Sequence, residues 1–480
     1  MRRSIRGARA TCYPPDVPGS PRPSRALALA AIVFVLAIAV ALAPTPAGLS
    51  LAGHRVLAVV VLAIGLWATD ALPAGVTSMV VVIALVLSGG VPTIRDALAG
   101  FAEPVAYFLL AVLTIGLAVA RSGLAGRLAS AFLRQSRGRP RALYFQMLLA
   151  FPALTLVLPS ATTRTGILVH VYERALAMGG VATGAPLARA IMLALNSVNR
   201  LASTVLLTGG ITPVVAAALI GNVSWSRWFV LMSVPYFVLL AVASILIYVL
   251  HRDGFSGTIP GTDTAPHTPM TAIEWRTAVI TAGASLLWLT DAIHHWNPAL
   301  PALIAWAFLL APGIGVLEWK EFEQDIGWSN LFVIAASLSL ARALQQSGAA
   351  TWLARTVLPG DAGAGPLTIV VALLFASAAI RFLVPNITGF LGVTIPVAMS
   401  LGANAGLNPL VCGLIVTVAG DAVLYYPAQS ASSLVVYQRG HLTAAEILRF
   451  GIWMTLLAFL IVLVVALPYW SLVGDPLVTP

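Results

Sequence analysis

Apolar residues in this chain come in long runs, not in the alternation of a half-buried sheet. The runs fall at about 26–43, 54–70, 74–91, 103–120, 142–172, 187–222, 228–250, 277–296, 299–316, 328–344, 366–403, 409–437 and 446–470. Most suit the roughly 20 residues that a helix needs to cross a bilayer core. Segments 142–172 and 366–403 are too long for one straight crossing, and Pro and polar residues interrupt each near its middle. A helix pair that enters and leaves on one face fits both the length and the break. Such irregular backbone is tolerated in lipid only where it is buried in protein or lines a cavity. The pattern predicts an all-α polytopic membrane protein with about 11 transmembrane helices plus two re-entrant helical hairpins.

The pattern also repeats. Leu66-Trp67-Ala68-Thr69-Asp70-Ala71 recurs as Leu287-Trp288-Leu289-Thr290-Asp291-Ala292, and Ser122-Gly123 recurs as Ser347-Gly348. The middle of the first hairpin reads Pro159-Ser160-Ala161-Thr162-Thr163-Arg164-Thr165-Gly166, and that of the second reads Pro385-Asn386-Ile387-Thr388-Gly389-Phe390-Leu391-Gly392. An odd number of crossings separates equivalent points, so the two halves form an inverted repeat. Interrupted helices at matching places of such a repeat point to a transporter site near the midplane. The chain divides into a basic tail at 1–25 and a first helix at 26–53 outside the repeat. The first repeat, 54–250, carries hairpin 142–172. A linker comes next at 251–276, then the second repeat, 277–470, with hairpin 366–403, and a tail at 471–480.

Composition agrees with the class. Of 480 residues, 59% are hydrophobic and only 9% are charged, against roughly 25% charged in soluble domains. That excludes an ordinary cytosolic enzyme, a nucleic-acid binder and a disordered chain. The net charge of +10 comes almost wholly from Arg. Arg121, Arg127, Arg134, Arg137, Arg139 and Arg141 crowd one loop, and Arg174, Arg189, Arg252, Arg276, Arg439 and Arg449 fall on the same side once each hairpin counts as no crossing. By the positive-inside rule that side is cytoplasmic. The amino terminus is therefore expected inside and the carboxyl terminus outside, with run 26–43 retained as a helix and not cleaved as a signal peptide. The two cysteines, Cys12 and Cys412, form no metal spacing or disulfide framework. No phosphate-binding loop for ATP and no metal-ligand cluster is visible.

The chemistry concentrates at the breaks. A broken helix leaves N–H groups unpaired at one end and C=O groups at the other. The first kind attracts anions and the second suits small cations. Ser160, Thr162, Thr163, Asn386 and Thr388 add neutral donors and acceptors at the hairpin tips. Two further interruptions match them: Thr208-Gly209-Gly210-Ile211-Thr212-Pro213 after Ser203-Thr204, and 426–433, from Tyr426-Pro427 through Ala428, Gln429 and Ser430 to Ser433. Arg164 stands at membrane depth, where it either binds a substrate carboxylate or holds the fold through carbonyls. Arg381 and Asp421 are expected to pair, unless Asp421 binds a cation or proton. Asn196, Asn199 and Arg200 are candidates to line the cavity. His170 reads as a packed residue, and His294-His295 as interfacial.

These residues resemble the divalent anion/sodium symporter family of the ion transporter superfamily. The likeness covers about 54–470. It rests on the two Trp-x-Thr-Asp-Ala segments, the tip Ser160-Ala161-Thr162-Thr163-Arg164, the Thr208-Gly209 break, and Pro427 through Tyr437 followed by Gly440 and Gly451. It implies a dimerising scaffold, a mobile transport domain and elevator-type exchange of small carboxylates or sulfate. The family's Ser-Asn-Thr tip falls on Ser160-Ala161-Thr162, with Ala161 in place of Asn. In the second tip it falls on Asn386-Ile387-Thr388 or, one residue earlier, on Pro385-Asn386-Ile387. The resemblance implies substrate contacts from Ser160, Ala161, Thr162, Thr163, Arg164, Asn386, Ile387, Thr388 and Ser430. Cation contacts fall on Ser160, Thr208, Gly209, Thr212, Asn386, Ala428 and Ser430. The function expected is a secondary transporter of small di- or tricarboxylates in the bacterial inner membrane. It would be a lipid-embedded homodimer, coupled to sodium, with no other cofactor and no nucleic-acid partner. A sulfate permease, a sodium-independent exchanger, a proton-coupled variant and a non-transporting sensor stand as alternatives.

Overall fold

The computed structural model describes residues 23–134, 136, 138–158, 160–221, 223–259, 269–357 and 365–478. Residues 1–22 of the basic tail, 260–268 of the linker at 251–276 and Pro159 of the first tip lie outside the described residues. The described chain is built of helices, and its one β-bridge joins Leu407 and Val478. Among the described residues, seven helices are long and apolar enough to cross a membrane, or eight if the bent pair Trp319–Asp325 and Trp328–Gln346 counts as one span. Other predicted crossings correspond to shorter apolar helices, Ala26–Leu42, Ala74–Leu87 and Ala299–Leu310, or to the interrupted segments, and the run at 277–296 falls on the 18-residue helix Ala272–Leu289, which is not one of the seven. Three of the seven, Pro140–Val157, Pro366–Leu383 and Ile387–Asn404, are arms of the hairpins. Length and composition alone do not separate a re-entrant arm from a crossing.

The first hairpin pairs Pro140–Val157 with Ala161–Met178, and the second pairs Pro366–Leu383 with Ile387–Asn404. Both start or end within a few residues of the apolar limits, except that the first runs to Met178 instead of 172. The two arms of the first hairpin begin and end on one strap of chain. The amide of Ile259 donates to the carbonyl of Gly138, just before the hairpin, at 2.7 Å. Gly179, just after it, lies so close to the Ile259 side chain that a Cβ would fall 2.2 Å from it. Entry and exit on a shared strap is what a re-entrant hairpin requires. In the second hairpin, Ser400 near the end of the returning arm donates to Thr351 at 3.0 Å, on the short helix Ala349–Val357 that precedes the entering arm.

The inverted repeat is visible in local geometry. Helices Pro104–Arg121 and Trp328–Gln346 both end on a Ser, followed by a glycine in the left-handed region, Gly123 (φ +85) and Gly348 (φ +76). A side chain at either would be strained, so each helix must stop there. A short amphipathic helix, Leu124–Arg134 or Ala349–Val357, then leads to each hairpin. Thr69 and Thr290 make the same bond back to the carbonyl four residues earlier, at 2.7 and 2.8 Å.

The halves interlock. Helix Ala74–Leu87 of the first half packs along Trp328–Gln346 of the second, and Ala299–Leu310 of the second packs along Pro104–Arg121 of the first. A single buried apolar cluster runs through both hairpins and both interrupted helices. A smaller one joins Val56, Val60, Val81 and Leu85 to Ala336, Leu340 and Leu344. Neither half buries its apolar faces alone.

Candidate functional site

Two interrupted helices bring backbone to the centre. In the first half, Pro186–Leu193 continues through a π-turn at Ala194–Val198 into Asn199–Thr204, then unwinds before Ile211–Ile220. In the second half, Pro409–Asp421 unwinds before Ala431–Tyr437. The first break is tight. A Cβ on Gly209 would sit 2.0 Å from the carbonyl oxygen of Ser203 and 2.7 Å from the Thr155 side chain. Only glycine lets the chain fold back onto its own helix end there. In the second break Gln429 is the clamp: its oxygen accepts from the Tyr425 amide at 2.6 Å, and its nitrogen donates to the Arg381 carbonyl at 2.8 Å.

Both hairpin tips and both breaks open onto one cavity of about 640 Å³. Residues 160–163, 385–388, 210–213 and 428–432 border it, as do Arg200, Ser203 and Thr204. The opposite wall comes from the interlocked helices, through Trp67, Asp70, Leu113, Asp325 and Asn330. Of the expected substrate contacts, Ser160, Ala161, Thr162, Thr163, Asn386, Ile387, Thr388 and Ser430 are all brought together here. Among the expected cation contacts, Thr212 and Ala428 border the cavity as well. Thr208 and Gly209 are buried behind it.

The tips have the same construction. Ser160 caps the returning helix by accepting from the Thr163 amide at 3.2 Å, and Asn386 caps its helix by accepting from the amides of Thr388 and Gly389 at 2.9 and 3.2 Å. Ser160 and Asn386 are therefore equivalent, which settles the register as Asn386-Ile387-Thr388 on Ser160-Ala161-Thr162. Two helix N-termini, each of an 18-residue helix, face one cavity, and that favours a bound anion.

Arg164 does not border the cavity. It is completely buried, and its guanidinium donates to Leu158 O (2.8 Å), Asn199 Oδ1 (2.6 Å), Asn199 O (2.9 Å) and Ser203 Oγ (2.5 Å). The carbonyl end of the entering arm and the first interrupted helix attract it more strongly than an open cavity does. The expected pairing of Arg381 with Asp421 is also corrected. Arg381 donates to Val384 O and Pro385 O at the second tip (both 2.6 Å) and to Gly420 O (3.1 Å). Each tip thus has its exposed carbonyls taken by a buried arginine of its own hairpin, which also ties the tip to the interrupted helix of its own half.

Asp421 pairs instead with Arg200 across the two halves, at 2.7 Å. Of Asn196, Asn199 and Arg200, only Arg200 borders the cavity; Asn199 latches Arg164, and Asn196 donates to Ser197 at 3.0 Å. Arg200 and Asp421 are 221 residues apart, the same offset that separates Leu66 from Leu287, so opposite charges at equivalent repeat positions were the available signal. His170 is exposed, not packed, and meets Arg439 at 3.1 Å. The cavity wall from the interlocked helices had no signal in sequence, because it depends on which halves pack together.

Residues 24–475 match the family model described as the sodium:sulfate symporter transmembrane region. A "Membrane protein" of Cupriavidus necator is 27% identical over 89% of each chain. The L-tartrate/succinate antiporter of Escherichia coli is 22% identical over 78% of this chain and 80% of its own. The sodium-dependent dicarboxylate transporter SdcS of Staphylococcus saprophyticus is 22% identical, over 88% and 86%. The crystal structure of the Alcanivorax borkumensis YdaH transporter, described as having an unusual topology, covers 96% of this chain and 100% of its own, at a TM-score of 0.51 and 18% identity, and so is similar in fold.

Proposed function

Because the chain belongs to the sodium:sulfate symporter family, and is therefore a multi-pass membrane transporter and not an enzyme, we propose that its cargo is a small di- or tricarboxylate held between the two hairpin tips. The carrying observation is the single cavity into which two capped helix N-termini and the side chain of Arg200 converge. The tips supply neutral donors from Ser160, Thr162, Thr163 and Thr388, and the amide ends supply partial positive charge. A cavity of about 640 Å³ has room for a four- to six-carbon carboxylate and its waters. Its size and the presence of Arg200 favour a carboxylate over sulfate. Relatives named for tartrate, succinate and dicarboxylates support the same class.

The transport cycle we infer is of the elevator type. One wall of the cavity belongs to the hairpins and interrupted helices and the other to the interlocked helices, so a sliding of one group past the other would carry the site. The arginine distribution supports a cytoplasmic amino terminus in a bacterial inner membrane. A homodimer joined through the interlocked helices completes the reading.

On coupling, the reading favoured is independent of sodium. Half-helix carbonyl ends are where a coupling sodium is held in transporters of this architecture. Here Arg164 and Arg381 already donate to those carbonyls, at 2.6–2.8 Å, and Ala161 lacks a side-chain oxygen. One relative is an antiporter and another is sodium-dependent by name, so the relatives alone do not decide. Uptake of labelled succinate and L-tartrate into proteoliposomes tests both parts. Equal rates in sodium and in choline are expected; a strict sodium requirement contradicts the coupling reading, and no uptake of either compound contradicts the cargo reading.

A further inference from the structure

Among the described residues, the charged side chains buried in the hairpins and interrupted helices are three arginines and one carboxylate: Arg164, Arg200, Arg381 and Asp421. Asp421 offsets one arginine through its pair with Arg200. Arg164 and Arg381 donate to carbonyl, amide and hydroxyl oxygens, which satisfy hydrogen bonds but bring no full charge. This part of the molecule therefore holds two positive charges without a counter-charge. A net charge in a low-dielectric interior is costly and draws an opposite one.

Arg200 is where that excess meets the cavity. It is the single cationic side chain bordering the cavity among the described residues, and it is only 8% exposed. A guanidinium has five N–H donors. One goes to Asp421 Oδ1 at 2.7 Å, and a second reaches Val423 O only at 3.3 Å. Nε is buried without a partner. Each terminal nitrogen also has a second N–H for which the described residues supply no acceptor. Arg164, by contrast, makes four hydrogen bonds. Unpaired donors on a buried charged group carry a desolvation cost that a bound acceptor removes. The opposite wall adds no buried charge: Asp70 and Asp325 are exposed, and Arg121 already holds Asp325 at 2.5 Å.

We propose that the site is matched to a dianion and that Arg200 reads its second carboxylate: one carboxylate lies on the capped N-termini of the hairpin tips, the other on the free N–H groups of Arg200. This rests on the carboxylate-transport reading and narrows its cargo from di- or tricarboxylates to dicarboxylates. Two negative charges balance the two uncompensated arginines. A monoanion leaves one of them unanswered, and a trianion adds one charge too many. A guanidinium can offer a carboxylate two parallel N–H bonds along one edge. Arg200 thus keeps Asp421 on one side and takes the substrate on another. It is a specificity residue outside both tips, and Asp421 orients it.

The test is titration calorimetry on the purified full chain at about pH 8, where free carboxyl groups are ionised. It compares succinate with succinamate, in which one carboxylate is an amide, and with the tricarboxylate tricarballylate. The wild type is expected to bind succinate about 10- to 100-fold more tightly than either, the range that hydrogen bonds to charged groups give. The double variant Arg200→Gln/Asp421→Asn removes the pair without leaving a buried carboxylate unpaired. In it, succinate is expected to fall to the affinity of succinamate. Equal binding of succinate and succinamate by the wild type overturns the proposal. So does tricarballylate binding as tightly as succinate, or a preference for succinate over succinamate that survives in the double variant. The wild-type comparison decides even if the variant fails to fold. Each of these outcomes leaves the transport reading intact. If the wild type binds and takes up none of succinate, L-tartrate and malate, the transport reading falls first.

Discussion

Two arginines in the membrane interior, Arg164 and Arg381, illustrate what a buried charge needs. Among the described residues neither has a carboxylate partner; each donates to carbonyls that a broken helix leaves unpaired. The arrangement solves two problems together, because a buried guanidinium and an orphan carbonyl are both costly alone. Hydrogen bonds to charged groups contribute about 1.5–3 kcal/mol each, and an orphaned buried partner costs about 1–3 kcal/mol. Arg164→Met is therefore expected to destabilise the protein by about 3 kcal/mol or more. Thermal unfolding in detergent should show the drop with and without substrate. If the variant unfolds normally and only weakens succinate binding, Arg164 belongs to the substrate and not to the tip. The sequence displayed both arginines, but not their partners. A long side chain in a helix can reach either way, and only the tertiary approach of Asn199, Ser203 and Gly420 decides.

At the scale of the element, the tips and breaks were legible because helix breakers act locally. Pro and Gly weaken a helix where they fall, although Pro152, Pro235 and Pro396 stay inside theirs, and at the tips Ser and Asn cap the next one. Hence residues 160–163 and 385–388 could be named from the chain alone. The register of the second tip could not, since one residue's difference changes nothing in the apolar pattern; the matched caps of Ser160 and Asn386 resolve it. Thr162 is exposed to the cavity and Thr388 is buried at the other tip. Replacing either by Val keeps the shape and removes one hydroxyl. Thr162→Val and Thr388→Val are each expected to lower succinate uptake several-fold at low concentration, a change of about 1 kcal/mol. Initial rates in proteoliposomes measure it, and full activity in both variants would remove the tips from the site.

For the whole molecule, the inverted repeat was readable from three sequence matches at offsets of 221–226 residues, whereas the interlocking of the halves was not. Which helix of one half covers which helix of the other depends on shape after folding, and with it goes the far wall of the cavity, whereas the contact between Arg200 and Asp421 had its signal in the shared 221-residue offset. On the transport reading, the assembled molecule is a cradle made by two hairpins that enter from opposite faces. The most direct measurement is a cryo-electron microscopy map of the protein in lipid nanodiscs with succinate. The cradle predicts density for the anion between residues 160–163 and 385–388, with both arms of each hairpin returning to the face they came from. A map in which 140–178 or 366–404 runs straight from one face to the other, or in which succinate lies away from both tips, would contradict it.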